Sequence, residues 1–145
     1  MAIELNLVLL PARKGIVMDP QKLRYAKTHE WASLEGDTCT IGISQFAVEQ
    51  LTDVIYIDLP DLDDPVSIGD SFGEIESVKA VSDMYSPVVG DVIAVNEKLQ
   101  NDPTIISKDP YEKGWIIKVK VEKGTTLDHL MTFEQYQKQI ASEEH

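Results

Sequence analysis

Apolar residues in this chain fall mostly into short runs with a period of two. Thr38–Ile43 alternates, which sets Cys39, Ile41 and Ile43 on one face of a strand. Residues 54–59 are β-branched and apolar, and the run stops at Pro60-Asp61-Leu62-Asp63-Asp64-Pro65, a turn and loop signal. Trp115, Ile117, Val119 and Val121 alternate with Ile116, Lys118, Lys120 and Glu122, predicting a half-buried strand with a charged outer face. Gly, Pro and Asp separate these runs at close intervals, so the pattern predicts a mainly β domain. Helical signals stand out in two places. Ser44 is placed to N-cap a short helix through Leu51, with Phe46, Ala47 and Leu51 available to pack. Thr132 and Gln135 make a Thr-x-x-Gln capping box, and Phe133, Tyr136 and Ile140 fall on one face of a C-terminal helix. Residues 142–145 read as a frayed tail.

A weak repeat runs through the middle of the chain. Gly69-Asp70-Ser71-Phe72-Gly73-Glu74-Ile75-Glu76 aligns with Gly90-Asp91-Val92-Ile93-Ala94-Val95-Asn96-Glu97, 21 residues later. Each copy is a Gly-Asp turn and a strand ending in Glu. Two such halves point to a pseudo-twofold β-sandwich or flattened barrel, with the segment between them exposed at one end. Lys79 lies in that segment. A hairpin with residues 76–78 going out and 80–84 returning sets it at the tip. Charge isolates it as well: residues 28–97 hold fifteen carboxylates, and Lys79 is the one Lys or Arg among them. A lysine in a tight turn projects a long flexible stem, and acylation converts that stem into an uncharged tether. A plain solubilising charge is the alternative.

At 145 residues and 43% hydrophobic, the chain is sized for one globular domain that buries roughly two thirds of its unfolded surface. A net charge of −12 argues against nucleic acid and anionic membranes as partners, since both need a basic face. The acidity reads either as a solvated surface that keeps a shuttling protein soluble or as a field that steers it to basic rims on partners. The single Cys39 excludes an intramolecular disulfide and a Cys-rich zinc site, and its strand pattern makes it a buried structural thiol. No metal site is expected. Near the start, Ile3, Leu5, Leu7 and residues 8–10 are apolar, but the run is far shorter than the ~20 residues of a membrane span. Glu4, with no Ala-x-Ala-like site after it, speaks against a signal peptide. Residues 1–21 are set apart as an N-terminal extension, with Met18 as an alternative start. Residues 22–141 form the domain proper, and a reducing cytoplasmic setting fits it.

The flanks of Lys79 go further than its charge. Phe72-Gly73-Glu74-Ile75-Glu76-Ser77-Val78-Lys79-Ala80-Val81-Ser82-Asp83, Tyr25-Ala26-Lys27-Thr28-His29-Glu30-Trp31, and Asp109-Pro110-Tyr111 with Gly114-Trp115-Ile116-Ile117-Lys118 form a connected set. Gly42-Ile43-Ser44, Ala47, Gln50-Leu51 and the run from Val54 to Pro60 extend it. With these residues the chain resembles the H-protein family, the lipoyl carriers of the glycine cleavage system, over about residues 22–140. Biotin carriers flank their lysine with methionines, and lipoyl domains of 2-oxoacid dehydrogenases usually carry Asp-Lys-Ala; here the sequence is Val78-Lys79-Ala80.

The resemblance implies a hybrid-motif β-sandwich or barrel with short flanking helices, carrying lipoate on Lys79. A pyridoxal-phosphate glycine decarboxylase would load the arm with an aminomethyl group, and an aminomethyltransferase would unload it. Dihydrolipoyl dehydrogenase would then reoxidise the dithiol, and separate lipoylating enzymes would install the cofactor. The chain itself would be a non-catalytic, monomeric carrier, cytoplasmic or in the mitochondrial matrix of a eukaryote. The resemblance also implies a cleft for the loaded arm at Thr28, Glu30 and Asp83, where a carboxylate holds a protonated amine. The plainer readings are solvated acids for Glu30 and Asp83 and a local backbone bond for Thr28. Glu76, Ser77, Val78 and Ala80 would shape the hairpin for the lipoylating enzyme. His29 reads as structural rather than as a general base, Trp31 and Trp115 as packing residues, and the C-terminal helix as packing or a docking element. Rivals are an H-like paralogue relaying lipoyl groups and a scaffold outside glycine cleavage. An enzyme using Cys39 with His29 or His129 is the weakest reading.

Overall fold

The computed structural model of the protein describes residues 18–143. A 3-10 turn (Pro20–Lys22) leads into β1 (Arg24–Tyr25), β2 (Glu30–Glu35), β3 (Thr38–Ile43) and helix α1 (Gln45–Leu51). Strands β4 (Val54–Asp58), β5 (Pro65–Val66), β6 (Ser71–Ser77), β7 (Val81–Tyr85) and β8 (Gly90–Val95) follow. Two short helices, α2 (Lys98–Asn101) and α3 (Thr104–Lys108), precede β9 (Ile117–Lys120) and the C-terminal helix α4 (Phe133–Glu143). All strand pairings are antiparallel. They build a six-stranded sheet, ordered β1-β2-β3-β9-β8-β5, and a three-stranded sheet, ordered β4-β6-β7. The fold is thus mainly β, as the alternating runs predict. Among the described residues no helix is long and apolar enough to cross a membrane. Residues 1–17, Glu144 and His145 lie outside the described residues, and with them most of the extension and half of the tail. Ser142 and Glu143, expected in that tail, continue α4.

The two sheets share one core. Ile41, Val92 and Val119 from the larger sheet cluster with Ile57, Ile75 and Met84 from the smaller. A second cluster lies on the outer face of the larger sheet, where Leu23, Tyr25, Trp31 and Tyr136 pack with Phe133 and Ile140 of α4. Strands β2 and β3 are therefore covered on both faces, which is why Thr40 and Gly42 are buried along with Cys39, Ile41 and Ile43. The same sandwiching corrects one expectation. Ile116, assigned to an outer charged face, is fully buried, because β9 is a central strand and the Ile116 N–H is drawn to the Ile41 carbonyl at 2.8 Å. In α1 Val48 is buried in the core, Leu51 packs against it as expected, and Phe46 and Ala47 are half-buried.

The repeat is structural. Its first copy forms β6 in the small sheet and its second β8 in the large one. Each copy carries a bulge at the equivalent position: Phe72 is the extra residue opposite β7, and Ile93 the extra residue opposite β9. The caps also form as predicted. The Ser44 hydroxyl accepts from the Ala47 N–H at 3.2 Å, and the Thr132 and Gln135 side chains each accept from the other's backbone N–H, at 3.2 and 2.9 Å respectively.

Trp31 stands directly across the ladder from Gly42, and the indole lies over that glycine while its Nε1–H donates to the Pro110 carbonyl at 3.1 Å. A Cβ on Gly42 would meet the ring at 2.5 Å. Gly42→Ala is expected to displace the indole and destabilise the fold by about 1–3 kcal/mol. Urea unfolding followed by tryptophan fluorescence measures this, and an unchanged midpoint would contradict the packing described.

Candidate functional site

Strands β6 and β7 form a hairpin whose turn is Ser77-Val78-Lys79-Ala80. The Ser77 N–H donates to the Ala80 carbonyl at 2.8 Å. The buried Ser77 hydroxyl accepts from the N–H groups of Lys79 and Ala80, at 3.3 and 3.1 Å. The Val78 N–H donates to the Asp53 carbonyl at 3.1 Å, pinning the turn to the start of β4. All four backbone N–H groups of the turn are thereby occupied within the protein. Lys79 is exposed beside Val78 and Ala80, and Glu76 is half-buried one residue before the turn.

A cleft of about 360 Å³ runs beside this hairpin. Phe46, Leu51, Ile75 and Met84 give it apolar walls, and Lys79 stands at one edge. Thr28 and Glu30, neighbours on one segment, line it together with Asp83 from a distant part of the chain. Sequence reasoning missed Phe46, Met84 and Glu143 as lining residues, since nothing in their local pattern distinguishes them from ordinary helix and strand positions.

The two carboxylates differ. Asp83 is exposed and accepts from the Ser71 hydroxyl at 3.2 Å. Glu30 is 1% exposed, so the solvated-acid reading fails for it. The Thr28 hydroxyl donates to its Oε1, and the Tyr85 N–H donates to its Oε2 at 2.8 Å. Burial pushes the Glu30 carboxyl above its ordinary range, and these donors oppose that push only in part. A cation brought against Glu30 would offset the cost of its burial. Thr28 therefore bonds to the Glu30 side chain rather than to nearby backbone.

His29 projects away from any nucleophile. Its Nδ1 lies 2.7 Å from Tyr136 Oη and its Nε2 lies 3.1 Å from the Glu143 carboxylate, both on α4. Burial holds the Tyr136 phenol above its ordinary range, which keeps it a proton donor. The His129 Nε2 lies 2.7 Å from the Pro87 carbonyl, and Cys39 is fully buried. Trp31 is a core residue, whereas Trp115 is half-buried with Lys118 Nζ 5.0 Å from its ring centre.

Fold and site together define a small two-sheet domain that presents one lysine on a locked hairpin beside a partly acidic cleft. The family described as "Glycine cleavage H-protein" matches residues 23–143. The glycine cleavage system H proteins of Staphylococcus carnosus and Staphylococcus saprophyticus are 44% and 45% identical over 121 residues, covering 83% of this chain and 96% of each relative. The crystal structure of a glycine cleavage system H protein from Mycobacterium marinum superposes with a TM-score of 0.77 at 33% identity, covering 85% of this chain and 99% of that one. This chain belongs to the glycine cleavage H-protein family.

Two predictions follow from the buried groups. Because the folded Glu30 holds its proton to higher pH than the unfolded one, the native state binds more protons once pH exceeds about 4.3. Stability then falls as pH rises from there to the raised folded value. Glu30→Gln is expected to flatten that fall in urea unfolding measured at successive pH values; identical slopes would contradict it. Burial pushes the Cys39 thiol up to about 12. Iodoacetamide at pH 8 should therefore leave the folded protein unlabelled and alkylate it fully in urea.

Proposed function

We propose that this protein is the lipoyl carrier of a glycine cleavage system, with Lys79 as the attachment site. One observation carries the reading: the single Lys or Arg among fifteen carboxylates stands exposed on a hairpin tip beside an apolar-walled cleft lined by a buried carboxylate. Lipoate joined to Lys79 Nζ as an amide would supply a disulfide that can open with one sulfur taking an aminomethyl group and the other becoming a thiol, the dithiol being left once that group is handed on. The residues present fit that group. Phe46, Leu51, Ile75 and Met84 offer apolar walls to a hydrocarbon arm. Glu30 and Asp83 supply negative charge for an amine at its end, with Thr28 orienting Glu30. Ser77 shapes the tip, while Val78 at 64% exposure, Ala80 and Glu76 form the surface a lipoylating enzyme grips.

The chain's own task is to position and shelter; bond making and breaking fall to its partners. Those partners are a pyridoxal-phosphate glycine decarboxylase, an aminomethyltransferase and dihydrolipoyl dehydrogenase, met in turn by a monomeric carrier in the cytoplasm or matrix. A carrier that visits several active sites gains from an acidic surface, which keeps it soluble and speeds encounter with basic rims.

Intact-mass measurement after incubation with a lipoylating enzyme, ATP and lipoate should give one added lipoyl group on the wild type and none on Lys79→Ala. The same addition on both would remove Lys79 as the site. Exchange of labelled bicarbonate into glycine, with glycine decarboxylase present, should drop to background with Lys79→Ala. A lipoylated wild type that supports no exchange would instead assign the carrier to a relay or another pathway.

A further inference from the structure

His29 occupies a turn position that suits glycine. The loop holding residues 27–29 lies between β1 and β2; it closes through the His29 N–H to the Ala26 carbonyl at 3.0 Å and the Ala26 N–H to the Glu30 carbonyl at 2.9 Å. His29 sits there at φ 86, the left-handed conformation that glycine adopts without strain. What a side chain adds at this place is its bonding to α4. With a neutral imidazole protonated at Nε2, one chain of donors satisfies every group. The Ser44 hydroxyl donates to Tyr136 Oη at 2.5 Å, Tyr136 donates to His29 Nδ1, and His29 Nε2–H donates to Glu143. The Gln139 amide holds the other Glu143 oxygen at 2.6 Å. The His29 carbonyl, in turn, accepts from the Ser44 N–H at 2.9 Å. Ring and backbone of one residue are thus both fixed, and its two chain neighbours are Thr28 and Glu30.

We propose that the C-terminal helix is a clasp on the cleft: Tyr136 and Glu143 hold His29 by both ring nitrogens, and His29 holds Thr28 and Glu30 in place against Tyr85. His29, Tyr136 and Glu143 are positioning residues. Where the cargo is concerned, the clasp rests on the reading of this cleft as the shelter of a loaded lipoyl arm. Without the clasp, the loop 27–29 keeps its unfavourable φ with nothing to compensate it, and the carboxylate at the cleft loses its fixed place.

Amide hydrogen exchange on the full, unmodified chain tests this directly, because the Tyr85 N–H bonds Glu30 Oε2 and reports its position. Tyr136→Phe and Glu143→Ala are expected to raise Tyr85 exchange about two- to tenfold, the effect of losing about one net hydrogen bond. Ser77, whose N–H closes the hairpin tip, should be unchanged by Tyr136→Phe. Glu143→Gln keeps an acceptor for Nε2–H and should stay near wild type. Ile140→Ala thins the packing of the same helix and leaves the network intact, so it controls for loosened packing. On lipoylated, aminomethyl-loaded protein without aminomethyltransferase, Tyr136→Phe should shorten the half-life of ammonia release by a similar factor. Equal Tyr85 exchange in wild type and both clasp variants, or an equal rise in Ile140→Ala, overturns the clasp. The exchange readout needs no lipoyl group. A wild type that takes up no lipoate therefore overturns the proposed function and leaves the clasp to be decided by exchange alone.

Discussion

The first half of β2 and most of β3 are buried on both faces, so the side chains there must be met by a layer above or below. Inward, Ala32, Cys39, Ile41 and Ile43 join the core shared with the small sheet. Outward, Trp31 lies over Gly42 and needs a cover of its own, supplied by Tyr25, Tyr136 and the apolar stripe of α4. A bare indole face on a sheet would expose a large apolar area to water. The C-terminal helix is therefore part of the sandwich rather than an appendage, and its last turn ends beside the loop that carries His29.

The site follows from the same ladder. Glu30 is the first residue of β2, and because that strand is closed on both sides its carboxylate is closed in with it. Burial of a charge is tolerated when its oxygens are bonded, here by Thr28 and the Tyr85 N–H. Tyr85 belongs to β7, so this bond ties the edge of the small sheet to the end of a strand in the large one. The cleft opens along that seam, and the hairpin bearing Lys79 rises from the same two strands of the small sheet. Lysine, apolar walls and carboxylate are held in relation by a tight hairpin turn, a short helix and strand ends anchored in the two sheets, which suits a site that must stay in register.

Much of this was legible beforehand where a local rule decided the outcome. Thr38–Ile43 alternates, and it is a strand; Ser44 and Thr132 with Gln135 can cap, and they do. Lys79 stood out through charge and flanks that act over a few residues. The repeat could be aligned by eye, though not the shared bulge at Phe72 and Ile93, which depends on partners in two different sheets. Expectations failed where a third layer intervened. Ile116 was assigned outward by alternation and is buried because its strand is central. Val48, which its local pattern does not single out, joins the core from α1 beside the expected Leu51.

Glu30 and Asp83 mark the boundary between the two kinds of information. In sequence they are equivalent acids at positions that match a carrier family. Only the fold separates them, sealing one between sheets and leaving the other in water. By itself the sequence determined the alternating strands, the caps, the hairpin and its solitary lysine, because propensity, alternation and turn chemistry operate between near neighbours. It did not determine the strands at Arg24–Tyr25, Glu30–Glu35 and Pro65–Val66. The tertiary structure alone decided which carboxylate is buried, which helix face covers Trp31, and that His29 meets Glu143 from the far end of the chain. Those outcomes depend on solvent exclusion and on contacts between segments far apart in the chain, which no local pattern encodes.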